Sequence, residues 1–113
     1  MRRELAYLDD ILECIALIES YLDGVDEATF QANHLLQDGV TRNLEIIGEA
    51  AKSLPDEVRQ KQPQIDWRNI MRMRDKLIHH YFRVNLPIVW ATATQELTTL
   101  KLAVTELLKE LDT

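Results

Sequence analysis

Apolar residues recur along this chain in steps of four and three. Val40, Leu44, Ile47, Ala51 and Leu54 keep that rhythm, as do Ala93, Leu97, Leu100, Val104, Leu107 and Leu111. A helix turns by about 100° per residue, so these steps place each set on one stripe of a helix. A half-buried strand would alternate by two instead. An isolated helix of this length is marginal in water, so each stripe must be covered by another. The chain contains only three glycines and few β-branched runs, which further favours helix over sheet.

The remaining helices follow from similar signals. A first helix is expected from about Arg3 to Asp23, with Leu5, Leu8, Leu12, Ile15 and Leu22 on its stripe and Gly24 ending it. A second begins at Asp26 or Glu27 and takes in Phe30 and Leu35, with Asp38-Gly39 as a candidate interruption before the Val40 stripe. Pro55-Asp56-Glu57 reads as the first turn of a short helix, closed by Pro63. Asp66 suits the N-cap of a helix from Trp67 to about Phe82. Asn85 and Pro87 open a last helix to about Leu111, somewhat weakened at its start by the β-branched residues from Val89 to Thr94. Four long helices with short connections predict an all-α, antiparallel up-and-down four-helix bundle with a short extra helix, in one domain over residues 1–113.

Several classes are disfavoured. Cys14 is the only cysteine, so no intramolecular disulfide can form, which suits a reducing, cytoplasmic setting. No apolar run reaches membrane-spanning length, and no apolar stretch follows the basic N-terminus as in a signal peptide. The E-x-x-H pairs of di-iron bundles do not occur, so neither metal nor cofactor is expected. A net charge of −6 argues against nucleic-acid binding by the whole surface, but not by a focused site.

One stretch departs from the acidic background. Arg68, Arg72, Arg74, Lys76 and Arg83 face a single acid, Asp75, whereas the rest of the chain holds 8 Lys/Arg and 18 Asp/Glu. Within the stretch, Arg74, His79 and Tyr81 spell R-x4-H-x-Y, with His80 between the last two. With Ile70 set at zero on a helical wheel, Arg74 falls at about 40°, inside an apolar arc formed by Ile70, Met71, Met73, Leu77 and Ile78. Tyr81 falls beside it at about 20°. Arg68, Arg72, Lys76, His79 and Arg83 fall on the far side, between about 160° and 240°. One uninterrupted helix therefore does not gather Arg74, His79 and Tyr81. A helix break near His79, a second copy of the chain, or both would be needed.

With its flanking sequences the motif resembles the HEPN toxins of the MNT/HEPN toxin–antitoxin systems, the HepT-like ribonucleases. Phe82 and Leu86-Pro87-Ile88-Val89-Trp90 continue the likeness downstream, and Arg42-Asn43-Leu44-Glu45-Ile46-Ile47-Gly48-Glu49-Ala50 and Trp67-Arg68-Asn69-Ile70-Met71 extend it upstream. The resemblance implies a homodimeric helical bundle, metal-independent cleavage of RNA, and a small nucleotidyltransferase antitoxin that attaches AMP to the motif tyrosine, here Tyr81. His79 then suits general acid or base work, because an unperturbed imidazole titrates near pH 6.5. Arg74 suits a grip on the scissile phosphate, supported by Asp75, Glu45 or Glu49. Arg68, Arg72, Lys76, His80 and Arg83 are candidate RNA contacts.

Plainer readings stand beside these. Arg74 could be a structural ion-pair partner of one of those three acids, His79 a surface histidine, and Tyr81 a core aromatic with its hydroxyl at the rim. The cationic row could be an ordinary solvated face. Gly48 reads as a point of close helix packing, Trp67 and Trp90 as core, and His34 as an ordinary helix residue. Two other functions also remain: a non-enzymatic regulatory subunit that binds a nucleotide or the nucleotidyltransferase, and a purely structural dimerisation bundle.

Overall fold

The computed structural model describes residues 2–79 and 85–112. Among them all regular structure is helical: α1 (Arg2–Leu22), α2 (Glu27–Gln31), α3 (His34–Ser53), α4 (Asp56–Arg59), α5 (Trp67–His79), α6 (Leu86–Ala91) and α7 (Leu97–Leu111). A π-helical turn, Thr92–Glu96, joins α6 to α7 without a break. Among the described residues no helix is long and apolar enough to cross a membrane.

The long helices run up and down. Gly39, near the start of α3, lies against the ring of Tyr21 near the end of α1. Lys101 Nζ, early in α7, reaches Glu19 Oε1, late in α1, at 3.0 Å. The α3 and α7 stripes meet as their spacing requires, whereas in α1 only Leu8 and Ile15 of the expected stripe are fully buried: Leu5, Leu12 and Leu22 are half-buried, and Ile11 and Ile18 take the core positions. Leu8, Ile11, Ile15 and Ile18 of α1 are buried with Val40, Leu44, Ile47 and Ala51 of α3 and Leu97, Leu100, Val104 and Leu107 of α7. Phe30 of α2 closes one end against Trp90 of α6, their ring centroids 5.4 Å apart.

Local signals account for most boundaries. Gly24 takes φ +71° after α1, the left-handed conformation expected of a terminating glycine. Asp26 Oδ1 accepts from Thr29 N at 2.8 Å to start α2, and Asp66 Oδ1 accepts from Asn69 N at 3.0 Å to start α5. The interruption expected at Asp38-Gly39 lies elsewhere. The helix breaks at Ala32-Asn33, where Asn33 Oδ1 caps Leu36 N at 3.1 Å, and α3 runs through Gly39 unbroken. Gly39 serves packing: a Cβ there would stand 3.1 Å from the Tyr21 ring. The extension of α5 to Phe82 lies outside the described residues.

The last helix carries near its start a spacing that drifts around the axis of a regular α-helix. Val89, Ala93 and Leu97 are all buried, yet they are separated by two consecutive steps of four. On a regular helix two such steps drift by about 80° around the axis. The π turn underwinds the helix at this point and keeps all three facing inward. It lies among the β-branched residues expected to weaken this stretch.

α3 occupies the middle of the bundle, with α1 on one side and α5 on the other, and α1 in turn packs on α7. The α3–α5 contact is unusually close. A Cβ at Gly48 would stand 2.7 Å from Arg74 Cβ and 2.9 Å from the carbonyl oxygen of Ile70. Neither obstacle is a flexible side-chain tip.

Helix propensity alone would make Gly48→Ala stabilising by about 1 kcal/mol. Overpacking at a rigid contact costs about 1–3 kcal/mol and should reverse the sign. Gly48→Ala is therefore expected to lower the melting temperature by roughly 5 °C, measured by circular dichroism. A second expectation concerns acid. The hydrogen bond from Thr29 holds the Asp26 carboxyl below its usual value. Its contribution is complete above the unfolded carboxyl pKa and is lost as pH falls through the lower folded one. Asp26→Asn keeps a cap without a titrating group, so urea midpoints of the variant should fall less steeply than the native protein's below about pH 4.

Candidate functional site

α5 presents three different faces. Leu77 is buried, while Ile70, Met71 and Met73 are half-buried against the core. Arg68, Arg72 and Lys76 are exposed, each one turn from the next. The rise along the axis between successive members is about 6 Å. None of the three makes an ion pair with any described residue. The nearby cations of other helices do find acids: Arg42 Nη1 meets Glu45 Oε2 at 3.4 Å, and Arg59 pairs with Asp56.

Arg74 lies between these faces. Its Cβ is pressed onto Gly48, which explains how a charged residue sits within an apolar arc: the aliphatic stem packs and the head leaves the core. Nη1 donates to Asp75 Oδ1 at 3.0 Å, and the Arg74 side chain remains 29% exposed. Of the three acids considered as its support, Asp75 is the one in contact. Glu45 is engaged by Arg42, and Glu49 is exposed on the turn beside Gly48. An ion pair this exposed contributes about 0–1 kcal/mol. Arg74 Nε is buried and has no hydrogen-bond partner among the described residues. A buried unpaired donor costs about 1–3 kcal/mol, so the described residues leave this fork incompletely satisfied.

His79 is the last residue of α5, five positions beyond Arg74. The helical backbone places the two positions about 140° apart around the axis. His80, Tyr81 and Arg83 lie outside the described residues, as does the His79 side chain. Trp67 is core, its Nε1 donating to Gln62 O at 3.0 Å, and Trp90 packs on Phe30. His34 is exposed as the first residue of α3. Among the described residues no three His, Cys, Asp or Glu side chains gather as a metal-binding group.

The structure adds a feature that the sequence reading missed. Between α3, the first half of α5 and the π turn lies an open cleft of about 290 Å³. Leu44, Ile47, Ile70, Met73 and Leu100 line its floor, and Gln64, Asp66, Asn69, Gln95 and Glu96 its rim. The spacing of apolar residues gives no signal for it: the two four-residue steps from Val89 to Leu97 recur in α3, where Asn43, Ile47 and Ala51 are buried on a regular helix.

Fold and site together define an all-helical bundle protein with a cationic face on its motif-bearing helix. The family model described as "Ribonuclease HepT-like" matches residues 11–107, and the chain belongs to this family. It is 43% identical over 95 residues to "Probable ribonuclease HepT" of Thermococcus cleftensis, covering 84% of this chain and 86% of that protein. It is 43% identical over 111 residues to a protein of Caldanaerobacter subterraneus named "Putative RNase", covering 97% and 98%. A Methanocaldococcus jannaschii protein named "Gamma-glutamylcyclotransferase and putative RNase" is 42% identical over 113 residues. That match covers 99% of this chain but 51% of the relative, so the chain spans about half the relative's length. No solved structure matches the chain.

The cationic row carries a stability expectation. Because Arg68, Arg72 and Lys76 are exposed and unpaired within the described structure, alanine at any of them should change unfolding free energy by less than about 0.5 kcal/mol. Arg74→Ala, which also strips packing from Gly48, should cost more than any of the three in urea denaturation.

Proposed function

We propose that this chain is the toxin of a toxin–antitoxin pair, a metal-independent endoribonuclease working as a homodimer. The observation that carries the reading is the row Arg68, Arg72 and Lys76, exposed and without ion-pair partners among the described residues, on the helix that bears R-x4-H-x-Y in a chain of net charge −6. An unpaired cationic row is suited to successive backbone phosphates. The family and the names of its relatives point to RNA as that polyanion.

The chemistry needs a base, an acid and a cation. One His79 imidazole takes the proton from a ribose 2′-hydroxyl, and the 2′-oxygen attacks the adjacent phosphorus. A second acid protonates the departing 5′-oxygen, leaving a 2′,3′-cyclic phosphate and a 5′-hydroxyl. Arg74 steadies the charge that builds on the phosphorane through the exposed part of its guanidinium. Asp75 holds the other branch of the fork. The angular separation of positions 74 and 79 favours a cleft shared by two copies, in which the second His79 is the acid. His80 and Arg83 add further RNA contacts. Tyr81 is the AMP acceptor for a nucleotidyltransferase antitoxin. A phosphodiester placed there would exclude RNA by charge and bulk.

In buffer containing EDTA the native protein should cut RNA, and His79→Ala should reduce the rate by about 100- to 10,000-fold. Native-like cleavage by His79→Ala would refute the assignment. Incubation with the partner transferase and ATP should add one AMP by intact mass, and Tyr81→Phe should abolish the adduct. An adduct without any RNA cleavage would favour the regulatory-subunit reading. Each alanine in the row should also shallow the salt dependence of RNA affinity by about 0.7 in log–log slope.

A further inference from the structure

The cleft between α5 and the π turn is not used by this mechanism, yet it adjoins the cationic row. Asn69 stands on its rim, one turn of α5 from Arg72 and two from Lys76. A strand whose phosphates follow the row therefore passes the mouth of the cleft. At about 290 Å³ the cleft is at the small end of ordinary ligand pockets, which run roughly 300–1,000 Å³. That volume suits a single ring system rather than a larger ligand.

Its chemistry is selective. Ile70 and Met73 offer apolar contact to one face of a flat ring, and methionine sulfur is a favourable neighbour for aromatic systems. Asp66 and Glu96 set two carboxylates on the rim, which repel a phosphate. Asp66 Oδ1 already accepts from Asn69 N, so Glu96 is the freer acceptor. The amides of Asn69 and Gln95 can both donate and accept. A rim of acceptors and amides over an apolar floor matches a heterocycle whose edge carries N–H donors. The π turn brings Gln95 and Glu96 to this rim while Ala93 and Leu97 stay buried.

We propose that this cleft is a base-selecting subsite that takes one unstacked nucleobase of the bound RNA and prefers guanine, whose adjacent N1–H and N2–H2 donors match the Glu96 carboxylate. One face of the base rests on Ile70 and Met73 while its backbone stays on Arg72 and Lys76. Cytosine and adenine present one amino group to an acceptor and rank lower. Uracil has no amino group and ranks last. The subsite rests on the RNA reading above only for the source of the base.

Free nucleosides test the cleft without phosphate and without cleavage, so this result is independent of nuclease activity. In ¹H–¹⁵N spectra of the full chain, guanosine should shift the side-chain amides of Asn69 and Gln95 with a Kd on the order of 1 mM. Uridine should bind about tenfold more weakly, and Glu96→Gln should remove most of that difference. No shift at these amides, equal shifts with uridine, or an undiminished preference in Glu96→Gln would overturn the proposal. So would shifts of the same amides that depend only on protein concentration, which would mean that a second copy covers the cleft. If the native protein cuts mixed-sequence single-stranded RNA, cuts should favour a guanine at a fixed offset, and unbiased cutting would count against the subsite.

Discussion

Where α3 and α5 meet, one side of the contact has no side chain. Gly48 lets the backbone of α5 approach so closely that even a methyl group would meet Arg74 Cβ and the Ile70 carbonyl. This contact sets how far α5 is turned about its own axis. With Ile70 and Arg74 against α3, Arg68, Arg72 and Lys76 must face solvent, and Asn69 and Met73 must face the cleft. A different rotation would bury a cation of the row or drive the Arg74 head into the core, and an unpaired buried charge is strongly destabilising.

The other flank of α5 is held less tightly. α3 covers one part of its apolar arc, but the last helix does not close broadly over the rest, and the cleft is what remains. The π turn is part of the same arrangement. Underwinding reduces the drift of two successive four-residue steps and keeps Val89, Ala93 and Leu97 on one core-facing side. Packing of the last helix and the composition of the cleft wall therefore have one cause.

Arg74 shows how such a scaffold prepares a polar group. Its stem contributes to packing, one branch of its fork is oriented by Asp75, and Nε is left without a partner in the described chain. The surrounding acids are engaged elsewhere or exposed, so the guanidinium is not neutralised by a tight internal cage. The result is a guanidinium whose stem is fixed by packing and whose head is oriented by one acid while part of it stays exposed.

Much of the fold was legible in sequence because it depends on short-range periodicity. The stripes of α3 and α7, the start of α2 at Asp26, the Asp66 cap and the Gly24 terminus all follow from spacing and residue type within a few positions. The wheel also separated the cationic face of α5 from its apolar arc, because both belong to one regular helix. The break at Asn33 was misplaced at Asp38-Gly39, since whether a glycine ends a helix or admits a neighbour depends on that neighbour, here Tyr21. Three features needed tertiary structure: which acid holds Arg74, the underwinding at Thr92–Glu96, and the open cleft beside α5. The cleft depends on the spacing of helices far apart in the chain, while the other two are local choices among conformations and partners that residue spacing alone leaves open. The sequence by itself determined the helices and their faces; only their packing decided what those faces meet.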